Sequence, residues 1–150
     1  MIQVYKITFS QNSYELNNEY LKLSEHEKET IANILPDAYF EFNNDSENYI
    51  LYLIITTPNI DRYFKILNNN SIQFKSENIS QTLLNGLDID LELKEYINTL
   101  NNYRFNLFKK KIENWIVSNL EIDIILDRIN QVGIDNLNNI EKKFLDNYNI

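Results

Sequence analysis

Tyr49 to Thr57 reads Tyr-Ile-Leu-Tyr-Leu-Ile-Ile-Thr-Thr and is the most apolar run in the chain. It is too short to cross a bilayer as a helix, and its β-branched and aromatic content, closed by Pro58, specifies a strand. Side chains alternate across a strand, so Tyr49, Leu51, Leu53 and Ile55 share one face and Ile50, Tyr52 and Ile54 the other. Both faces are apolar. Burying one large apolar side chain is worth about 1.5–3 kcal/mol, so the strand belongs in mid-sheet with a cover on each side.

The flanking segments supply a sheet around it. Ile2 to Phe9 alternates as a strand with one buried face. Residues 10–23 are polar with scattered apolar positions and admit either a loop or a short helix. Ser24 with Glu27 forms a capping box that opens a helix to about Leu35, stopped by Pro36. Ala38 to Phe42 reads as a second strand, and Tyr49 to Thr57 follows as its antiparallel partner. Thr57-Pro58 starts a helix carrying Ile60, Tyr63, Phe64 and Leu67, and Ser71 to Lys75 reads as a fourth strand. Strand, helix, strand, strand, helix, strand is the order of a ferredoxin-like βαββαβ sheet, an α+β fold whose own helices cover one face only.

Beyond Lys75 the pattern is helical. Ile79 to Asn85 is a short helix ended by Gly86. Asp90 then caps a long one on which Leu93, Tyr96, Ile97, Leu100, Tyr103, Leu107, Phe108, Ile112, Trp115 and Ile116 hold a 3.6-residue stripe. Ser118 and Glu121 form a second capping box before Ile122, Ile125, Leu126 and Ile129, with Gly133 as the stop. Asn138 and Glu141 open a last helix carrying Phe144 and Leu145. The expected organisation is an acidic sheet domain over residues 1–90 and a helical extension over 91–150, packed as one compact unit. That extension, or a homodimer pairing open sheet faces, provides the second cover for the central strand.

Ile125-Leu126-Asp127-Arg128-Ile129, Gly133-Ile134, Asn136-Leu137 and Glu141-Lys142-Lys143-Phe144-Leu145 together resemble a small helical hairpin at the cytoplasmic C-terminal end of some bacterial rhomboid-family membrane proteins. The resemblance covers about the last thirty residues. Asn136 and Asn138 stand where that pattern usually has Ser and Ser or Thr, which keeps the capping chemistry. No transmembrane run and no glycine-flanked protease serine accompany it, so the resemblance implies a packing or docking module without proteolytic activity.

Charge narrows the function. Residues 1–100 hold 7 Lys+Arg against 15 Asp+Glu, a balance of −8, and residues 101–150 hold 7 of each. An acidic surface repels nucleic acid and anionic membrane and attracts basic proteins. Without cysteine there are no disulfides and no thiolate metal sites. The N-terminus lacks a basic segment followed by an apolar one, and a cytoplasmic protein is expected.

Few residues offer chemistry. His26, the only histidine, sits among Glu25, Glu27 and Glu29 in a first helical turn, where a solvated face is expected. Asp88, Asp90, Glu92 and Glu95 are the densest acidic cluster. They lack the glycine and ligand spacing of a calcium loop; Asp90 is expected to cap the long helix with Glu92 in its first turn, and the cluster to display negative charge to a partner. Lys109-Lys110-Lys111 near Tyr103, Arg104 and Phe108 is scattered around its helix, and Tyr5 and Tyr52 are candidate sheet aromatics for base stacking that the acidic N-terminal half opposes. No glycine-rich phosphate loop, nucleophile elbow or zinc-helix motif occurs. The expectation is a non-enzymatic binding protein without cofactor or metal. It would be an immunity protein or inhibitor engaging a basic toxin or nuclease through Asp88, Asp90, Glu92 and Glu95; the alternative is a small-ligand-sensing regulatory domain.

Overall fold

The computed structural model describes residues 1–35, 39–43, 49–86 and 102–148, with the side chains of 39–43 and 102–105 set aside. It is a mixed α/β structure of two compact units, Met1–Ile79 and Ser80–Ile150.

The first unit is built on a four-stranded antiparallel sheet in the order β2-β3-β1-β4, formed by β1 (Ile2–Phe9), β2 (Tyr39–Asn43), β3 (Tyr49–Thr56) and β4 (Phe74–Asn78). The apolar run is an interior strand, paired with β1 in the register Val4↔Ile54, Lys6↔Tyr52 and Thr8↔Ile50, and with β2 on its other side. Leu51, Leu53 and Ile55 join Ile7 and Phe9 in one core cluster. Helices α1 (Ser13–Leu21), α2 (Glu25–Ile34) and α3 (Thr57–Asn69) add Leu16, Ile31, Ile34, Ile60, Tyr63 and Leu67 to it. On the opposite face Val4 and Tyr52 are fully buried and Ile50 nearly so, with the Lys6 ammonium 5.8 Å from the centre of the Tyr52 ring. Both faces of β3 carry buried side chains, with Tyr49 and Ile54 half-buried.

An aromatic ladder runs along the helix-covered side. Phe64 stacks on Phe74 at 5.0 Å and meets Tyr5 edge-on, and Phe9 lies between Phe74 and Tyr49. These offset and edge arrangements suit the ring quadrupoles and fix strand-to-helix spacing.

Several boundaries differ from expectation. Residues 10–23 contain α1, whose Asn12 side chain accepts from the Glu15 backbone N–H and so caps the helix. The fourth strand begins at Phe74, three residues later than expected, because α3 ends in a Schellman turn. There Ile72 N–H donates to Leu67 C=O and Ser71 N–H to Asn68 C=O, with Ser71 in the left-handed region at φ 56°. Thr56 rather than Thr57 is the N-cap of α3, with Pro58 inside the first turn.

The second unit contains α4 (Ser80–Leu84), α5 (Asn102–Asn119), α6 (Ile122–Val132), a 3-10 turn at Ile134–Asn136 and α7 (Asn139–Asp146). Phe108, Ile112, Trp115, Ile116, Leu120, Ile125 and Leu137 are buried. The expected Ser118–Glu121 capping box does not form: α5 runs through Ser118, and Glu121 is the N-cap of α6 without a side-chain bond. Leu107 and Leu126, assigned to inner stripes by spacing, are exposed. Asp90 and the stripe residues Leu93, Tyr96, Ile97 and Leu100 lie outside the described residues.

Candidate functional site

Asp88, Asp90, Glu92 and Glu95, the expected partner-binding cluster, also lie outside the described residues. Among the described residues one acidic surface is carried by α1 and α2. Between residues 15 and 29 five glutamates, Glu15, Glu19, Glu25, Glu27 and Glu29, stand against Lys22 and Lys28. Glu15, Glu25 and Glu29 are exposed. Lys22 pairs with Glu19 at 3.6 Å and Lys28 with Glu25 at 3.4 Å, each one turn apart along its helix. Surface pairs of this kind hold side chains in place and add only about 0.2–0.5 kcal/mol each.

Glu27 is the structured member of the group. One carboxylate oxygen accepts from the Ser24 backbone N–H at 3.0 Å, and the Ser24 hydroxyl accepts from Glu27 N–H, completing the expected capping box. The other oxygen accepts from Asn70 Nδ2 at 2.7 Å, and the same amide donates to Ile66 C=O at the end of α3. The Ser24 backbone donor, then the Asn70 amide, hold the Glu27 carboxyl below its ordinary range because both bonds favour the charged form. Glu27 therefore joins the start of α2 to the end of α3. His26 is exposed in the same turn, as expected of a solvated face.

Below this surface the hydroxyls of Tyr20 and Tyr63 lie 2.6 Å apart. Tyr63 is fully buried. Loss of hydration, followed by the neighbouring Tyr20, pushes its phenol well above the usual range. The pair holds α1 to α3 through a bond between residues 43 positions apart. No local pattern signals such a contact, whereas Asn12 followed by Glu15 did carry the signal for α1.

Among the described residues no three His, Asp or Glu side chains are grouped to hold a metal ion. Tyr52 is fully buried, Phe108 is buried beside the lysine run, and Tyr5 is half-buried with its ring edge-to-face against Phe64. Lys110 is exposed, Lys109 and Lys111 are half-buried, and the side chains of Tyr103 and Arg104 fall outside the description. Among the described residues no helix is long and apolar enough to cross a membrane.

The C-terminal residues singled out by their pattern form a tight node. Asn138 and Glu141 make the expected reciprocal capping box at the start of α7. Glu141 is 2% exposed, and its carboxylate also accepts from Arg128 Nε at 2.8 Å and from a second guanidinium nitrogen at 3.3 Å. Arg128 in turn lies over Gly86, where a Cβ would come within 2.7 Å of the guanidinium carbon, and Gly86 itself has φ +96°. Gly133 ends α6 at φ +83°, as the sequence pattern anticipates. Comparison with protein-family models, with curated proteins and with solved structures yielded no match to this chain.

Proposed function

We propose that the chain is a non-enzymatic binding protein that engages a basic protein through its acidic surface, as an immunity protein or inhibitor of a toxin or nucleic-acid enzyme would. The observation that carries this reading is the display of Glu15, Glu25 and Glu29 from two capped helices whose positions are fixed by Glu27 and by the Tyr20–Tyr63 bond. Rigid, like-charged display steers a partner of opposite charge and sets its register. The strand order β2-β3-β1-β4, all antiparallel, supports assigning the first unit to the ferredoxin-like class. The capped α6–Gly133–α7 arrangement is compatible with a docking module of the kind the rhomboid resemblance implies.

The test is affinity capture with the full chain from the native cell, followed by titration of the purified partner at 50–500 mM salt. Reversing Glu15, Glu25 and Glu29 to Lys removes three surface attractions of about 0.2–1 kcal/mol each, which weakens binding by about 3- to 150-fold. Reversal of Asp88, Asp90, Glu92 and Glu95 tests the second acidic cluster in the same way. Binding that is indifferent to salt and to both sets of reversals refutes the electrostatic reading.

A further inference from the structure

The second unit carries a groove between α5 and α7 that the acidic surface does not involve. Its volume is about 460 Å³, within the roughly 300–1,000 Å³ typical of small-ligand sites. Val117, Phe144 and Tyr148 form its apolar wall; Val117 and Tyr148 are 42% and 41% exposed, and the two rings are tilted 35° at 6.0 Å. Ser118, Lys143 and Asn147 face the same space. Among the described residues Lys143 is the one charged residue of the lining, which holds no carboxylate side chain. Among the described residues the side chains of Ser118, Lys143 and Asn147 have no hydrogen-bond or ion-pair partner.

We propose that this groove binds a small amphipathic anion, a planar aromatic body bearing one carboxylate or sulfonate. The ring wall suits an aromatic body, which buries apolar surface there. The Lys143 ammonium meets the acidic group, and the Ser118 hydroxyl and Asn147 amide donate to its remaining oxygens. A cation finds no carboxylate in the lining to replace its hydration. Because the protein as a whole repels anions, attraction here is local to Lys143 and specific to the groove.

The experiment uses the full chain at pH 7 with two fluorescent probes, 1-anilinonaphthalene-8-sulfonate and its neutral parent N-phenyl-1-naphthylamine. The sulfonate is expected to bind saturably at one site per chain. Lys143→Gln is expected to weaken the sulfonate about tenfold or more, the scale of a charge-assisted bond, and the neutral probe less than about twofold. Tyr148→Ala is expected to weaken both, and Lys28→Gln neither. Trp115 emission and circular dichroism show that each variant is folded. Amide NMR shifts of the unmodified chain on adding 2-naphthoate, which need no variant, are expected at Val117, Ser118, Phe144 and Asn147. Unsaturable binding, equal loss of both probes in Lys143→Gln, shifts centred elsewhere, or shifts produced only by an acidic peptide would each overturn the proposal.

Discussion

Glu141→Ala strikes the most heavily bonded side chain among the described residues of the second unit. Glu141 accepts two bonds from Arg128 and one from the Asn138 backbone N–H while 2% exposed. Its loss leaves a guanidinium that is itself only 17% exposed without a counter-charge, and uncaps α7. Breaking a buried pair by deleting one partner costs about 3–5 kcal/mol, and a lost cap about 1 kcal/mol. Part of the Arg128 charge regains water at its exposed edge, so about 3 kcal/mol in total is expected. Gln at the same position keeps an acceptor for Asn138 but loses the charge, and about 1.5–3 kcal/mol is expected. Trp115, the only tryptophan, is buried in the same unit, so its emission during urea unfolding reports the change directly. With a slope of about 1–3 kcal/mol per molar urea, the midpoint for Glu141→Ala should fall by about 1–3 M. Repeating the substitution on an Arg128→Met background, where no charge is stranded, should cost markedly less. A midpoint shift below about 0.2 M, or an equal cost on both backgrounds, would refute the view that this pair holds the hairpin together.

Other consequences are specific to the first unit. Ser71→Gly should stabilise it by about 0.5–1 kcal/mol. Glycine removes a left-handed strain of about 1–2 kcal/mol and returns part of it as unfolded-chain entropy, and the exposed Ser71 side chain makes no bond that would be lost. The most protected β1 amides should then exchange about 2- to 5-fold more slowly, and faster exchange would contradict the turn assignment. Tyr20→Phe leaves the buried Tyr63 hydroxyl without its partner and should cost about 1–3 kcal/mol by the same exchange measurement, with part recovered in the Tyr20→Phe/Tyr63→Phe double variant. In alkaline titration followed at 295 nm, Tyr63 should stay un-ionised until the unit unfolds. Stability should fall as pH rises past the unfolded tyrosine value of about 10, since the folded group ionises later than the unfolded one. For Glu27, whose folded value is depressed, the stabilisation is full above the unfolded value of about 4.3 and is lost as pH falls through the lower folded value. Thermal melts between pH 2 and 7 should therefore show an acid limb that is shallower in Glu27→Gln, and an unchanged limb would remove Glu27 from the account.

How much was legible in the chain follows from the range of each interaction. Periodicity and capping are local. The strands at Ile2–Phe9 and Tyr49–Thr56 could be read from the alternation and apolar content of their own residues, and the Ser24–Glu27 and Asn138–Glu141 boxes and the glycine stops at Gly86 and Gly133 because their partners lie within four residues. The same local rules placed a box at Ser118–Glu121 that the structure does not form. α5 continues through Ser118 to Asn119, with Leu120 buried at the next position, and spacing alone did not detect where that helix ends. Leu107 and Leu126 were misassigned because a 3.6-residue stripe wider than the available contact leaves its edge positions in water.

The sequence by itself determined that β3 must be buried on both faces, that the chain is acidic and without cysteine, and where the Ser24–Glu27 and Asn138–Glu141 boxes and the Gly86 and Gly133 stops fall. Each of these follows from residue identity and near-neighbour spacing. Only the tertiary structure decided which polar groups meet: Glu27 with Asn70, Tyr20 with Tyr63, and Arg128 with Glu141 across Gly86. It also decided that Val117, Phe144 and Tyr148 line a groove with Lys143. The physical reason is that a buried polar group is satisfied by whichever partner the packing of apolar faces brings within about 3 Å, and sequence separation places no limit on that choice.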